Sequence, residues 1–254
     1  MSDKLNAKYK AIFTDVDGTL ITNEYGGKLT KRVKKIIINS KKNIFFGIAS
    51  GRPLDRVTFI FEELGLKKPC IINGGSQIVD PVSRKVLWQQ PILPKDLNTV
   101  RKQLNKLHEK VWVVDGVKEY RYEKTMKLNS PLHFFISKIE ETKADKLIGR
   151  LSHIPTLAMT KVVAYHKGYI SLQITHAEAT KHQAIMKAAQ LMDINNEEII
   201  GVGDGYNDYP MFKACGFKVA VGNAVEGLKE KADYIAPPVE DDGVADVLEK
   251  FVIN

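Results

Sequence analysis

The sequence predicts an α/β protein that has a doubly wound parallel sheet and an inserted α+β domain. Two observations predict this fold class. Short β-rich segments alternate with amphipathic helical segments at both ends of the chain, and the middle follows a different order of helices and strand pairs. Alternating strands and helices are typical of a parallel sheet covered by helices on both faces, that is, of a Rossmann-like core.

The N-terminal part of this core contains three predicted strands, at 10–14, 44–49 and 70–72. A helix is predicted after the first strand, because Thr30 is a favourable N-cap residue and the apolar residues after it have helical spacing. A second helix is predicted from Pro53 to about Gly65, since proline is favoured in a first helical turn and glycine after a last one.

The alternation resumes near the C-terminus, with predicted helices at 180–192, 207–214, 225–231 and 244–251, and predicted strands at 198–202, 217–221 and 234–236. In the middle of the chain, helices are predicted around 97–107 and 143–151, and strands at 111–114, 120–122, 157–165 and 169–174, the last two as a hairpin. We therefore expect a core formed by residues 1–84 and 179–254, into which an α+β domain at 85–178 is inserted.

The composition is that of a globular protein. The chain has 254 residues, of which 44% are apolar, and a formal charge of +8. No apolar run reaches the length of a membrane span, and the residues after Met1 do not resemble a secretory signal. The two cysteines, Cys70 and Cys215, suit a reducing compartment. We expect a cytoplasmic protein that does not bind membranes.

Most of the excess positive charge lies in the predicted insertion. Such a bias occurs in nucleic-acid-binding proteins, near sites for small anionic substrates and, most commonly, on solvated lysine-rich surfaces. The charge alone does not separate these three interpretations.

The first candidate site segment is Asp15-Val16-Asp17-Gly18-Thr19, directly after the first predicted strand. In open α/β sheets, ligands bind beyond the C-terminal ends of the strands. Asp15 and Asp17 would point to the same side of an extended chain, where two carboxylates repel each other unless a cation lies between them. Carboxylate oxygens are ligands that Mg²⁺ prefers. Taken alone, the segment is also compatible with an acidic turn.

Three further segments carry polar residues near the ends of other predicted elements. Ser50 and Gly51 follow the second strand and offer a hydroxyl and N–H groups to an anion, although a serine there is more often a helix cap. Lys181 lies in the first turn of a helix, where its charge opposes the helix dipole unless an anion is close. Asp204 and Asp208 follow the fourth core strand and place two more carboxylates at the same edge of the sheet.

In this order, the four segments resemble the four motifs of the haloacid dehalogenase-like superfamily. Residues 15–19 match the first motif, Ser50 the second, Lys181 the third and residues 203–208 the fourth. Residues 73–75, 219–224 and 232–235 are similar to the Cof-type branch of phosphatases, which carries a large cap between the second and third motifs. The sequence departs from that branch at His182, where glycine is usual, and in the turn before Lys181.

The resemblance implies that the protein hydrolyses phosphomonoesters with Mg²⁺ through an aspartyl-phosphate. Asp15 would be the nucleophile, and Asp17 would act as acid and base. Mg²⁺ would be held by Asp15, by the backbone carbonyl of Asp17 and by Asp204, with Asp208 orienting these ligands. The resemblance also implies a set of groups that bind the phosphoryl oxygens, namely Val16, Ser50, Gly51, Lys181 and Asn207.

The implied partner is a small phosphorylated metabolite, such as a sugar phosphate or a cofactor phosphate. Aromatic residues of the insertion could stack on a ring of this substrate or lie in the domain core, namely Trp112, Tyr120, Tyr122, Tyr165 and Tyr169. A phosphomutase or phosphotransferase with the same nucleophile is an alternative, as is a slow sensor of an anionic metabolite. A nucleic-acid-binding protein with a basic insertion is a third alternative, against which the intact set of acids argues. The sequence leaves the oligomeric state open.

Overall fold

The computed structural model describes residues 8–22, 27–163 and 168–253. The strands in chain order are β1 (Ala11–Thr14), β2 (Phe45–Ile48), β3 (Cys70–Ile72), β4 (Gln77–Val79), β5 (Val86–Gln89), β6 (Lys110–Asp115), β7 (Lys118–Arg121), β8 (Pro131–Glu140), β9 (Leu157–Val163), β10 (Tyr169–His176), β11 (Ile199–Gly203), β12 (Phe217–Val221) and β13 (Tyr234–Ala236). The α-helices are α1 (Lys31–Ser40), α2 (Thr58–Leu64), α3 (Pro94–Leu104), α4 (Glu141–Leu151), α5 (Lys181–Met192), α6 (Tyr209–Ala214), α7 (Glu226–Lys229) and α8 (Gly243–Leu248).

The core is a parallel five-stranded sheet in the order β13-β12-β11-β1-β2. β1 lies between β11 and β2, so its C-terminal end meets the ends of two strands that come from distant parts of the chain. Thr14, the last residue of β1, is opposite Val202 on one side and Ile48 on the other. This register places the segments that follow β1, β2 and β11 at one edge of the sheet.

Helices cover both faces of this sheet, as the sequence predicts. Ile12 of β1 packs in an apolar cluster with side chains of α1, α2 and α8. Its neighbour Phe13 points to the opposite face, into a second cluster that includes α5 and α6. Because consecutive side chains of a strand point to opposite faces, a strand with both neighbours buried requires cover on both sides. The predicted doubly wound α/β fold is confirmed.

The helix boundaries have local causes. The Thr30 side chain accepts a hydrogen bond from the Val33 N–H at the start of α1, which is the predicted N-cap. Gly65 ends α2 in the left-handed conformation, as expected for a glycine after a last turn. Pro53 precedes a short 3₁₀ turn, Leu54–Arg56, rather than the first turn of a continuous helix, so the predicted helix at 53–65 is divided into two.

The third predicted strand, β3, belongs mainly to a different sheet. It pairs with β4 and β5 in a small antiparallel sheet, and one bridge between Ala49 and Ile71 connects it to the end of β2. The sequence analysis does not predict β4 or β5. These strands are only three and four residues long, and their connection contains Arg84 with a positive φ of 62°.

The inserted segment folds around an antiparallel sheet in the order β7-β6-β8-β10-β9. One face of this sheet packs against α3 and α4 through a separate apolar cluster. This is the α+β cap that the sequence predicts. Since β5 pairs with β4 of the core side, the boundary near residue 85 stays a prediction.

The central strand of the cap, β8, is absent from the sequence analysis. Leu132, Phe134 and Ile136 occupy alternate positions, but Phe135 between them is also apolar, and Lys138 has a positive φ of 55° and shifts the register before Ile139. Such a bulge breaks the period of two by which a strand is recognised. Within the described residues, no helix combines the length and the apolar character needed to cross a membrane.

Candidate active site

The loop after β1 makes a sharp turn. The Asp15 N–H donates to the Val202 carbonyl at 2.8 Å, which keeps Asp15 aligned with β11. The N–H groups of Leu20 and Ile21 both donate to the Val16 carbonyl and close the turn. Gly18 has a φ of 78°, and a Cβ atom there would lie 2.4 Å from Oδ2 of Asp204. Glycine is therefore required at this position both by the backbone conformation and by the approach of the Asp204 carboxylate.

Lys181 joins two of the predicted acids. Its Nζ atom lies 2.6 Å from Oδ1 of Asp15 and 2.7 Å from Oδ1 of Asp208, and its side chain is almost completely buried. Thr180 caps α5 by accepting the Gln183 N–H, so the first turn of this helix points Lys181 towards the end of β1. The motif-three position predicted from the sequence therefore lies next to the predicted nucleophile, despite His182 beside it.

Asp208 and Asp204 are held by different partners. Oδ2 of Asp208 accepts the N–H groups of Asp204 and Gly205, both at 3.0 Å. Lys181 contacts the other oxygen of Asp208 at 2.7 Å, so both oxygens of this carboxylate have partners. Its role in orienting metal ligands stays a prediction. Asp204 accepts the Thr19 hydroxyl at 2.9 Å through Oδ1. The second oxygen of Asp204 points to the loop after β1.

The carboxylates are close enough to share one cation. One oxygen each from Asp15, Asp204 and Asp208 lies within 4.8 Å of the others, and all three residues are buried. Three carboxylates and one ammonium group leave an excess of negative charge, which is costly in a buried place unless a cation or protons neutralise it. Hard oxygen donors of this kind fit Mg²⁺. Asp15 and Asp204 are the side chains that would hold it.

The pKa values of the clustered side chains are shifted by burial and by this excess of negative charge. Burial, together with the neighbouring acids, raises the pKa of Asp15 to about 7 although Lys181 opposes this. Burial and the charges of Asp15 and Asp208 raise the pKa of Asp204 to about 8. Burial lowers the pKa of Lys181, but the two adjacent carboxylates outweigh it and hold the pKa above its ordinary value. A bound cation would favour the ionised acids, because it replaces the missing positive charge.

Asp17 lies apart from this cluster, in an ion pair with Arg52. The guanidinium donates Nε to Oδ2 at 2.9 Å and Nη2 to Oδ1 at 2.6 Å, which is a bidentate contact. Arg52 is a site residue that the sequence analysis does not include. Its position directly after Ser50 and Gly51, at the end of β2, is the signal that could have identified it.

The other predicted phosphate-binding residues surround the same edge of the sheet. Ser50 is fully buried, and its hydroxyl accepts the Arg52 N–H at 3.1 Å. Gly51 is exposed, with open space where a side chain would be. Val16 is buried in the loop after β1, and Asn207 is half-buried in the 3₁₀ turn Tyr206–Asp208. Their roles stay predictions.

The cap lies over this edge of the core. The Gln77 amide donates to the Gly116 carbonyl at 2.9 Å, and the Ser76 hydroxyl donates to the Leu132 carbonyl at 3.3 Å. Arg56, after the second motif, forms an ion pair with Glu119 of β7. The cap thus contacts the core on both sides of the segment that carries Ser50.

The aromatic residues considered for substrate stacking do not all lie on the same side of the cap sheet. Trp112 lies on the face towards the core. The Cζ atoms of Arg56 and Arg121 lie 6.0 Å and 5.8 Å from the centroid of its ring. Tyr122 packs edge-on against Phe134 in the cap core. Tyr120 and Tyr169 are exposed, and Tyr165 lies outside the described residues. A role of these residues in stacking stays a prediction.

Comparisons with known proteins agree with this architecture. The chain is 27% identical to the 5-amino-6-(5-phospho-D-ribitylamino)uracil phosphatase YcsE of Bacillus subtilis, with 96% of each chain covered. It is 24% identical to a phosphoglycolate phosphatase of Methanopyrus kandleri, with 95% of this chain and 96% of that protein covered. Among solved structures, a haloacid dehalogenase-like hydrolase from B. subtilis matches with a TM-score of 0.82 at 22% identity, covering 96% of this chain and all of that one.

A second solved structure, the subclass IIB sugar phosphatase BT4131, matches with a TM-score of 0.80 at 19% identity and covers 95% of this chain and 98% of that one. The family profile of the haloacid dehalogenase-like hydrolases matches residues 12–147 and 117–248. These two matches span the core and the cap, which confirms the resemblance drawn from the four motifs. The chain therefore belongs to the haloacid dehalogenase-like hydrolase family.

Proposed function

We propose that this hydrolase is a Mg²⁺-dependent phosphatase of small phosphomonoesters, acting through an aspartyl-phosphate on Asp15. The observation that carries the proposal is the buried cluster of Asp15, Asp204, Asp208 and Lys181 where the ends of β1 and β11 meet α5. Phosphatase activity is supported by full-length relatives that bear that name. The substrate class, a sugar phosphate or a cofactor phosphate, is the one that the sequence motifs imply.

The first half of the reaction needs an anionic nucleophile next to an anionic phosphoryl group. Asp15 attacks phosphorus and displaces the leaving oxygen, which takes a proton from Asp17. Lys181 holds one oxygen of Asp15 and leaves the other for the attack. Asp15, the Asp17 carbonyl and Asp204 would hold a Mg²⁺ ion, which would supply positive charge that offsets the repulsion between carboxylate and phosphate.

In the second half, a water molecule attacks the phosphorus of the aspartyl-phosphate and displaces the Asp15 carboxylate, which releases inorganic phosphate. Asp17 takes the proton of this water and is then ready for the next substrate. The bidentate pair with Arg52 engages both oxygens of Asp17. This pair has to open for Asp17 to exchange a proton with the leaving oxygen or with water, so Arg52 is a positioning residue that holds Asp17 between these steps. Ser50, Gly51, Val16 and Asn207 would hold the remaining phosphoryl oxygens, so that positioning and charge stabilisation supply most of the rate enhancement.

A phosphotransferase or phosphomutase with the same nucleophile is the second candidate. It would use the same Asp15 and Asp17, and differ only in the acceptor that attacks the aspartyl-phosphate. Adding an alcohol acceptor to a turnover assay and comparing transferred with released phosphate separates the two. We propose hydrolysis, because the relatives named above are phosphatases.

The activity is tested with p-nitrophenyl phosphate in Mg²⁺ and again in EDTA. We expect turnover by the wild type that EDTA abolishes, and a loss of about a thousandfold or more in Asp15→Asn. Asp96→Asn is the matched control, since Asp96 is also a buried aspartate but contacts Thr156 in the cap. Metal-independent turnover, or equal activity of the two variants, would contradict the proposal.

A further inference from the structure

Three buried polar atoms without a hydrogen-bond partner come together between the cap and the core. They are Oδ1 of Asn73, Nδ1 of His133 and Nε2 of Gln173, in side chains of residues that are at least nine-tenths buried. Buried polar atoms in folded proteins nearly always have a partner, so three neighbouring exceptions call for an explanation. Among the described residues, Gln103 of the helix layer of the cap has the one other such side-chain atom.

The sheet register of the cap brings two of these side chains to one face. His133 of β8 is opposite Thr175 of β10, and Phe135 of β8 is opposite Gln173 of β10. His133 and Gln173 are therefore diagonal neighbours on the same face, because directly paired residues of an antiparallel sheet point to the same side. This is the face opposite to the apolar cluster with α3 and α4.

The turn Asn73–Gly75 of the core lies directly against that face. A Cβ atom on Gly74 would be 2.2 Å from both terminal atoms of the Gln173 amide, so the amide covers Gly74. A hydrogen bond with the Asn73 backbone contributes to the environment of the His133 ring. The three polar groups thus converge from both sides of the cap–core junction.

The same turn contacts the residues predicted to bind phosphate. The Gly74 N–H donates to the Ser50 carbonyl at 2.9 Å, and the Asn73 N–H donates to the Arg52 carbonyl at 3.0 Å. Gly75 is so close to the start of α5 that a Cβ atom on it would lie 2.6 Å from the backbone nitrogen of Lys181. A substrate whose phosphate lies at Ser50 and Lys181 would have its leaving group close to Asn73, His133 and Gln173.

The three unpaired atoms determine which chemical groups on a substrate they could form hydrogen bonds with. Burial lowers the pKa of His133 to about 4, so the ring is neutral near pH 7. The set then offers an amide oxygen and a ring nitrogen as acceptors and an amide N–H as a donor. A hydroxyl group both donates and accepts, so a leaving group with several hydroxyls can pair all three. A carboxylate only accepts, and it would meet two acceptors.

We propose that Asn73, His133 and Gln173 form the leaving-group site and select neutral, hydroxyl-bearing phosphomonoesters, of the polyol or sugar type, over carboxylate-bearing ones. This inference rests on the proposed phosphatase function and adds its substrate class. The three residues are specificity residues, since the groups that react lie at Asp15 and Asp17.

The proposal is tested by steady-state kinetics with ribose 5-phosphate, sorbitol 6-phosphate, 2-phosphoglycolate and p-nitrophenyl phosphate. For the wild type we expect kcat/KM to be at least about tenfold higher for the two hydroxyl-bearing esters than for 2-phosphoglycolate. A preference for 2-phosphoglycolate would overturn the inference while leaving the phosphatase function intact. Absence of turnover with all four esters would instead contradict the phosphatase function.

Two variants replace the polar groups by apolar ones of similar shape, Gln173→Met and His133→Phe. We expect the ratio of kcat/KM for ribose 5-phosphate to that for p-nitrophenyl phosphate to fall about tenfold or more, mainly through KM. For Gln173→Met we also expect Tm to rise by about 3 °C, because an unpaired buried polar group has been removed. A purely structural role would lower Tm and leave the substrate ratio unchanged, which would overturn the proposal.

Gln103→Met is the matched control. It makes the same chemical change at the other unpaired buried amide, in the helix layer of the cap. We expect no change in the ratio between substrates. A fall in the ratio as large as that of Gln173→Met would show that the effect does not come from the cap–core junction, and would overturn the proposal.

Discussion

At the scale of single residues, the site depends on Lys181. A lysine in the first turn of a helix is unfavourable with respect to the helix dipole, and burial removes its hydration as well. Both costs are offset by the two carboxylates at 2.6 Å and 2.7 Å. Conversely, Asp15 and Asp208 rely on this ammonium group, because each is buried and close to another acid. The three side chains therefore form a unit in which the loss of one leaves the others uncompensated.

Lys181→Met should accordingly impair both stability and activity. In EDTA we expect the free energy of unfolding to fall by about 3 to 5 kcal/mol, since the variant leaves two buried carboxylates without their counter-charge. The measurement is urea denaturation followed by circular dichroism. Lys187→Met is the control on the same helix, because Lys187 donates an exposed hydrogen bond to the Gln190 side chain and lies outside the acid cluster. If both variants lose the same stability, Lys181 does not act through the acids.

The identity of the acids near the site can be anticipated from the sequence, because Asp15, Asp17, Asp204 and Asp208 all follow strands of one predicted sheet. The partners that orient them are harder to predict. The place of Arg52 after Ser50 and Gly51 marks it as a candidate, but its contact with Asp17 depends on the conformation of the turn after β2, which the sequence pattern does not give. The same holds for Asn73, whose environment is formed by cap strands 60 and 100 residues further along the chain.

At the scale of elements, the site is formed by loops that pack against one another. The loop after β1 contains Gly18, and the loop after β11 places Asp204 against it. The Gly18 carbonyl also accepts the Asn223 amide at 2.7 Å from the loop after β12, while the Val225 N–H donates to the Asp204 carbonyl. The position of Asp204 therefore depends on the shape of three loops.

Gly18→Ala tests this packing. A methyl group would lie 2.4 Å from Oδ2 of Asp204, so the carboxylate has to move. We expect the Mg²⁺ concentration for half-maximal activity to rise about tenfold or more. Gly116→Ala is the matched control: Gly116 has a similar φ of 65°, but nothing lies within 4 Å of a Cβ there. Equal Mg²⁺ responses of the two variants would show that backbone strain, not contact with Asp204, causes the effect.

The elements also show where sequence patterns are sufficient. Strands β12 and β13 have the predicted bounds, because short apolar runs between helices leave few alternatives. Strand β8 was not predicted, because the bulge at Lys138 interrupts its alternation, and β4 and β5 are too short to give a pattern. The strands that the sequence patterns miss are determined by pairing with distant strands rather than by the intrinsic preferences of their own residues.

At the scale of the whole molecule, the pH dependence of stability has contributions of opposite sign from different ionisable groups. The folded-state pKa of His133 is about 4, below its ordinary 6.5, so the unfolded chain binds the proton first as pH falls. Stability from the neutral ring is present above pH 6.5 and is lost between pH 6.5 and 4. The raised pKa values of Asp15 and Asp204 act oppositely: without metal, the folded protein gains stability as pH falls from about 8 towards 4.

Comparing wild type with His133→Phe separates these contributions. We expect the variant to gain about 3 kcal/mol in unfolding free energy relative to wild type as pH falls from 6.5 to 4. The measurement is urea denaturation in EDTA at several pH values. His153→Phe is the control at an exposed histidine and should follow the wild type. A constant difference between wild type and His133→Phe across this range would contradict the buried neutral ring.

The position of the cap relative to the core gives one interpretation of the excess positive charge of the cap. The cap face towards the core carries Arg121 beside Trp112, and Arg56 of the core reaches the same ring. Positive charge at the entrance to a buried phosphate site would increase the rate at which anionic esters arrive. This interpretation needs no nucleic acid. It is consistent with relatives, aligned over most of their length, that are named as phosphatases of small esters.

The central claim is that Asp15 becomes covalently phosphorylated during turnover. Its most direct test is acid quenching of the wild type within milliseconds of mixing with substrate and Mg²⁺, followed by mass spectrometry of the peptides. We predict one added phosphoryl group on the peptide that contains Asp15, absent in EDTA and in Asp15→Asn. Turnover without any phosphorylated peptide, or with the phosphoryl group on another residue, would contradict this account.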